Sequence, residues 1–148
     1  MATNISDLFS DIEKEAIKSA VEDAELNTSG EIRVHIENTC KGEVLDRAAQ
    51  IFKQLDMHKT EQRNGVLFYL AVENRRFAIL GDVGINSNVP ENFWEIIKET
   101  MLLNFRENKF TEGLIQGIEM AGEKLKEFFP YQRDDINELS DDISFNNN

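Results

Sequence analysis

Apolar residues recur at helical spacing over residues 6–25, where Phe9, Ile12, Ala16, Ala20, Val21 and Ala24 make one stripe. Ser10 with Glu13 has the spacing of a capping box, and Ser6 with Asp7 is an equally good start. Asn27, Thr28, Ser29 and Gly30 stop this helix. From Glu31 to Glu37 the period changes to two: Ile32, Val34 and Ile36 point one way, Arg33, His35 and Glu37 the other. That alternation predicts a half-buried strand. After a turn at residues 38–42, a second helix is expected over residues 43–56, with Val44, Leu45, Ala48, Ile51, Phe52 and Leu55 as its core face.

A polar loop, residues 57–64, leads into a strand at 66–72 that is apolar throughout, as when both faces are covered. Glu73 and Asn74 predict a two-residue turn into a third strand over 75–80, antiparallel to the second. Pro90 suits the first turn of a third helix, with Phe93, Trp94, Ile97, Met101 and Leu102 facing the core. Thr111 caps a fourth helix ending at Phe128 and Phe129, which Pro130 closes. Gly113 and Gly117, with Ala121, predict close packing of this helix against another element.

Helices before, between and after the strands predict an α/β fold. The expected architecture is a three-layer α/β/α sandwich with a small mixed sheet, a parallel crossover plus one antiparallel hairpin. Residues 1–130 make one domain. Residues 131–148 carry five carboxylates against one arginine and end in three asparagines, which predicts a disordered acidic tail.

The topology brings distant loops together. Glu31 opens the first strand, Asp56, Thr60, Glu61 and Asn64 precede the second, and Asp82, Asn86 and Asn88 follow the third. All should meet at one end of the sheet. Asp, Glu and amide oxygens are the hard ligands of Ca²⁺ and Mg²⁺. A divalent-cation site of Glu31, Asp56, Glu61, Asn64, Asp82 and Asn86 is therefore expected, bridging and ordering the two loops. The competing reading is that an Asx-rich loop only makes turns.

Charge sharpens this picture. The chain of 148 residues has net charge −12, with 28 carboxylates against 16 Lys and Arg. Cations are its natural partners, and nucleic acid and anionic membranes are not. A single cysteine, Cys40, excludes an intramolecular disulfide, and with two histidines it argues against structural zinc. No stretch approaches the ~20 apolar residues of a spanning helix, and the N-terminus lacks the pattern of a signal peptide. A cytoplasmic monomer is expected. His35 is expected to face outward and His58 solvent, Cys40 is not a predicted nucleophile, and Phe93 and Trp94 are predicted core anchors.

A family resemblance is carried by Thr28-Ser29-Gly30-Glu31-Ile32, Asn64-Gly65-Val66-Leu67, Asn74-Arg75-Arg76 and Gly81-Asp82-Val83-Gly84. The link Phe105-Arg106-Glu107-Asn108-Lys109-Phe110-Thr111-Glu112-Gly113-Leu114 extends it. In this order and spacing the motifs resemble the TPM domain, named after a thylakoid lumen protein, a photosystem repair protein and a worm acetylcholine-receptor modulator. The resemblance spans about residues 6–129 and is closest to a bacterial stand-alone subgroup. It implies an α/β/α sandwich and divalent-cation binding, with acid phosphatase activity in plant members. Three functions follow: a regulatory Ca²⁺ or Mg²⁺-binding domain; a metal-assisted phosphatase with Asp82 as nucleophile or base; and an interaction module using the acidic tail to hold a protein partner.

Overall fold

The computed structural model describes residues 4–131 and 138–147. A 3-10 turn, Ile5–Leu8, precedes helix α1 (Asp11–Glu25). Ser10 caps α1 in a capping box: its Oγ accepts the Glu13 N–H, and Glu13 Oε1 accepts the Ser10 N–H. The single helix expected from residue 6 is therefore interrupted at Phe9, whose backbone is extended. The stripe shifts with it. Ile17, Ala20, Val21 and Ala24 are buried, whereas Ile12 is exposed, because it lies about half a turn away from Val21.

Strand β1 (Glu31–Glu37) leads to α2 (Val44–Gln54), then β2 (Gly65–Ala71) and β3 (Arg76–Gly81). A one-turn helix, α3 (Val83–Asn86), is followed by α4 (Glu95–Arg106), α5 (Phe110–Phe128) and a short strand β4 (Ser144–Asn146). The described strands form one sheet in the order β3-β2-β1-β4. β1 runs parallel to β2, with Glu31 opposite Gly65 and Glu37 opposite Ala71, while β2 and β3 are antiparallel. The hairpin turn is longer than the two residues expected. The ladder closes at Ala71 opposite Arg76, and Arg75 turns the chain in the left-handed region at φ 53°.

Side chains alternate faces along each strand, and here each face meets helices. Ile32, Val34, Ile36, Val66, Phe68 and Leu70 pack with α1, α4 and α5. Leu67, Tyr69 and Ala71 pack on the other face with Ala48, Ile51 and Phe52 of α2. The three layers are those of an α/β/α sandwich with a mixed sheet. Being covered on both faces, β1 is fully buried along most of its length rather than half-buried.

The acidic tail departs from its expected disorder. Among its described residues, 138–147, β4 pairs parallel with the C-terminal half of β1, His35 opposite Ser144 through Glu37 opposite Asn146. Leu139 is buried in the α2-side core, and Phe145 meets Phe9 at 6.3 Å between ring centroids. Composition misleads here because three apolar side chains, Leu139, Ile143 and Phe145, suffice to anchor a segment that an existing strand edge can pair. Residues 132–137 and 148 of that tail lie outside the described residues. Among the described residues no helix is long and apolar enough to cross a membrane.

The small residues of α5 do set close approaches. A Cβ on Gly113 would lie 2.5 Å from the Phe105 ring, and one on Gly117 would lie 2.5 Å from Met101 Sδ. At Gly122 a Cβ would stand 2.8 Å from Ala24 Cβ and 3.0 Å from its Cα, so α1 cannot yield by rotating a side chain. Gly122→Ala gains about 1 kcal/mol in helix propensity but overpacks the α1–α5 contact, which typically costs about 1–3 kcal/mol. Urea unfolding is expected to show a net loss of stability; a gain would mean that the two helices are free to separate.

Candidate functional site at the loop end of the sheet

Strand register builds the site. Glu31 stands opposite Gly65, and Val66 opposite Gly81. The start of β1, the loop before β2 and the end of β3 therefore do meet at one end of the sheet. Backbone bonds tie them: Glu31 N–H donates to Asn64 O at 3.0 Å, Asp82 N–H to Gly65 O at 2.9 Å and Gly84 N–H to Arg63 O at 2.9 Å. A Cβ on Gly84 would stand 2.2 Å from Gln62 O and 2.5 Å from Arg63 O, so only glycine lets these two loops touch.

The side chains diverge from what convergence of the backbone suggests. Asp82 is buried and caps α3, its Oδ1 accepting the Val83 N–H at 2.7 Å. Both its oxygens also accept from Arg63, which forks onto it through Nε at 2.8 Å and a terminal nitrogen at 2.8 Å. Arg63 holds a left-handed backbone, φ 51°, to reach that position. The cation that links the two loops is thus a guanidinium of the chain itself. Asn86 turns its amide onto Gly81 O, and Asn88 onto Gly84 O. These are the turn-making roles of Asx residues.

The other predicted ligands are spread further. Glu31 is buried and its Oε1 accepts the backbone N–H groups of Glu138 and Leu139 from the tail. Burial pushes its carboxyl up, opposed by those two bonds and reinforced by the charges of Glu138 and Asp141. Asp56 is exposed, left-handed at φ 56° and paired with Lys59 at 3.3 Å. Glu61 is exposed, and its N–H donates to Glu138 Oε2. Asn64 is buried: its Nδ2 donates to Ser29 O at 2.7 Å, but its Oδ1 has no hydrogen-bond partner. His58 Nδ1 is likewise buried without a partner. Among the described residues no three His, Cys, Asp or Glu side chains cluster as a set that could hold a metal ion. His58, Arg63, Asp82, Asn86 and Ser87 instead border a depression of about 420 Å³ floored by Phe52 and Leu80.

Comparison with known families decides the kinship. The TPM domain model matches residues 3–124. The chain belongs to the TPM domain family. The BA42 protein from the psychrophilic bacterium Bizionia argentinensis is similar over its whole fold: TM-score 0.88 and 46% identity, covering 93% of this chain and 95% of that one. The N-terminal domain of a protein from P. gingivalis shares the fold at TM-score 0.67 and 20% identity, covering 85% of this chain and 83% of that one. The N-terminal domain of the cg2496 protein from Corynebacterium glutamicum does so at TM-score 0.63 and 12% identity, covering 91% and 79%. Comparison with curated proteins gives no match.

This TPM domain also holds a polar centre that residue spacing did not reveal. At the other end of β1, Glu37 is fully buried. It accepts Nε of Arg47 from α2 at 2.8 Å and the hydroxyl of Tyr69 from β2. The ring of His35 meets it through Nε2 at 3.1 Å and reaches Ser144 of β4 through Nδ1 at 2.9 Å. His35 therefore faces a covered layer, not solvent, and stacks on Tyr69 at 6.0 Å. Two sequence signals could have found it: a tyrosine inside an otherwise apolar buried strand needs a partner for its hydroxyl, and Arg47 lies on the sheet-facing side of α2. Burial opposes the charge on Glu37, but hydrogen bonds from His35, Arg47 and Tyr69 outweigh it and hold the carboxyl down at about 2. Burial, then Glu37 and Cys40, push the Tyr69 hydroxyl up.

A depressed carboxyl contributes stability that is complete above its unfolded value, here 4.5, and is lost as pH falls through that value towards 2. Glu37→Gln removes the charge and leaves Arg47 without its counter-ion, which is expected to cost about 3 kcal/mol at pH 7. The variant should also lose less stability than the wild type between pH 5 and pH 3. Parallel acid-unfolding curves for the two proteins would contradict this assignment.

Proposed function

We propose that this TPM domain binds a divalent cation, Ca²⁺ or Mg²⁺, at the loop end of the sheet, where the start of β1, the loop before β2 and the end of β3 meet, and that the ion orders two loops rather than catalysing a reaction. The observation that carries the reading is Asn64 Oδ1, a buried carbonyl oxygen without a donor. Buried polar atoms are seldom left so, and a hard cation, directly or through its water, supplies what such an oxygen lacks. Asp82 supplies the charge from the adjoining loop. Asn86 and Glu61 are further oxygen donors within the two loops, while Glu31 and Asp56 are committed to the tail and to Lys59.

Arg63 is the ion's competitor. Its side chain is 47% exposed, so it can swing into solvent and yield an edge of Asp82. Binding then exchanges an internal ion pair for a metal–carboxylate contact, which keeps affinity modest. The phosphatase reading draws support from Arg63 and His58 on the wall of the depression beside Asp82, where a phosphoryl group would meet them. It ranks second because Asp82, its nucleophile or base, has both oxygens engaged.

Titration of the metal-free chain with Ca²⁺ and with Mg²⁺, followed by amide NMR, tests both readings. Shifts are expected at Arg63, Asn64 and residues 82–86, and saturation at a hundred times the dissociation constant should stabilise the fold by about 2.7 kcal/mol. Asp82→Asn should abolish the response, and Arg63→Gln should strengthen binding by freeing Asp82. Silence of these amides at millimolar metal would end the cation reading. Release of phosphate from a simple ester, lost in Asp82→Asn, would favour the phosphatase.

A further inference from the structure

We propose that the pocket bordered by β1, the turn at residues 55–60 and the tail at residues 138–140 binds a short-chain monocarboxylate, whose two oxygens are gripped by the Arg33 guanidinium. Arg33 lies on the α2-side face of β1, opposite Leu67 of β2. Its Nε is buried without a partner. Among the described residues no salt bridge reaches it. Asp142, whose charge it feels, pairs instead with Lys18 at 2.9 Å. A guanidinium taken from water without a counter-ion is costly. Arg33 borders a pocket of about 230 Å³, and an anion entering there supplies what it lacks.

The rim sets the charge and shape of that anion. Two cations, Arg33 and Lys59, and two carboxylates, Asp56 and Glu138, border the pocket. Asp56 pairs with Lys59 at 3.3 Å, and Glu138 Oε2 accepts the Glu61 N–H at 3.1 Å. Neither carboxylate is thus given to Arg33, but both repel a second negative charge, so a singly charged ligand fits better than a dianion. A guanidinium presents Nε–H and a terminal N–H side by side, which matches the two oxygens of a carboxylate. Thr60 adds a buried hydroxyl whose oxygen already accepts the Asn64 N–H at 3.1 Å, which leaves its proton to donate.

Leu55 and Leu139 line the same pocket and give an aliphatic chain an apolar surface. The volume is below the roughly 300–1,000 Å³ of a pocket for a drug-sized ligand, which limits that chain to a few carbon atoms. The pocket shares no lining residue with the depression beside Asp82, and anion binding there does not require the cation. Its walls come from segments distant in sequence, the tail among them. The tail is otherwise held by three residues of ladder, Leu139 in the core, Phe145 against Phe9, and Asn147 Oδ1 accepting the Ile5 N–H at 2.7 Å. An occupant of the pocket therefore ties the tail more firmly to β1.

Titration of the full, metal-free chain with butyrate at constant ionic strength, followed by NMR of the Arg33 Nε–H and the backbone amides, tests the pocket. The Arg33 signal and the amides of Thr60 and Ser140 should shift together and saturate, and exchange protection of residues 144–146 should rise. Arg33→Gln removes the fork together with an unpaired charge. Binding should weaken at least about tenfold, while the unfolding temperature is held or raised. Lys59→Gln, at an exposed side chain, should weaken binding less and guards against a folding defect in the first variant. Inorganic phosphate, at a mildly alkaline pH where it is a dianion, should shift these signals less than butyrate at the same concentration. An Arg33 signal indifferent to butyrate at tens of millimolar would overturn the proposal. So would shifts that persist in Arg33→Gln, or a stronger response to phosphate.

Discussion

Strand β1 must bury a polar face, and the rest of the molecule is arranged to make that possible. Ile32, Val34 and Ile36 enter the core beneath α1, α4 and α5. Glu31, Arg33, His35 and Glu37 alternate with them and therefore lie on the α2 side, in line with Leu67 and Tyr69 of β2. An ionised side chain taken from water without partners would cost many kilocalories per mole. Each neighbour of β1 supplies part of what is needed: α2 brings Arg47, β2 brings the Tyr69 hydroxyl, and the tail brings two backbone N–H groups and Ser144. The tail is thus not an appendage to a finished domain. It completes the hydrogen bonding of a strand that would otherwise carry buried carboxylates at an open edge.

The fold was legible where a local pattern and the tertiary environment agree. The all-apolar run of β2 demands cover on both faces, the hairpin demands an antiparallel neighbour, and the helix between β1 and β2 makes them parallel. Together these place Glu31, Asn64 and Asp82 at one end of the sheet, as their register shows. Side-chain partners are less legible. Arg63, one residue before Asn64, forks onto Asp82 from the facing loop, and a left-handed arginine backbone leaves no mark in residue spacing.

His35 departs from the expected outward position for a related reason. Alternation says which residues share a face, not whether that face is wet. The Arg33–His35–Glu37 side is not solvated, because α2 and Leu139 of the tail cover that face as well. The described part of the tail departs from the expected disorder because composition averages over a segment. Its five carboxylates dominate the count, while Leu139, Ile143 and Phe145 do the anchoring, and the edge of β1 offers unpaired backbone groups that reward even a three-residue strand.

The two ends of β1 answer the same problem in opposite ways. At its C-terminal end Glu37 meets a guanidinium, a hydroxyl and an imidazole, so its charge is worth keeping and its carboxyl is held near 2. At its N-terminal end Glu25 and Glu31 meet backbone N–H groups and other carboxyls, and the Glu25 carboxyl is driven to about 10. Acid weakens the first arrangement by protonating a carboxylate that is bound as an anion.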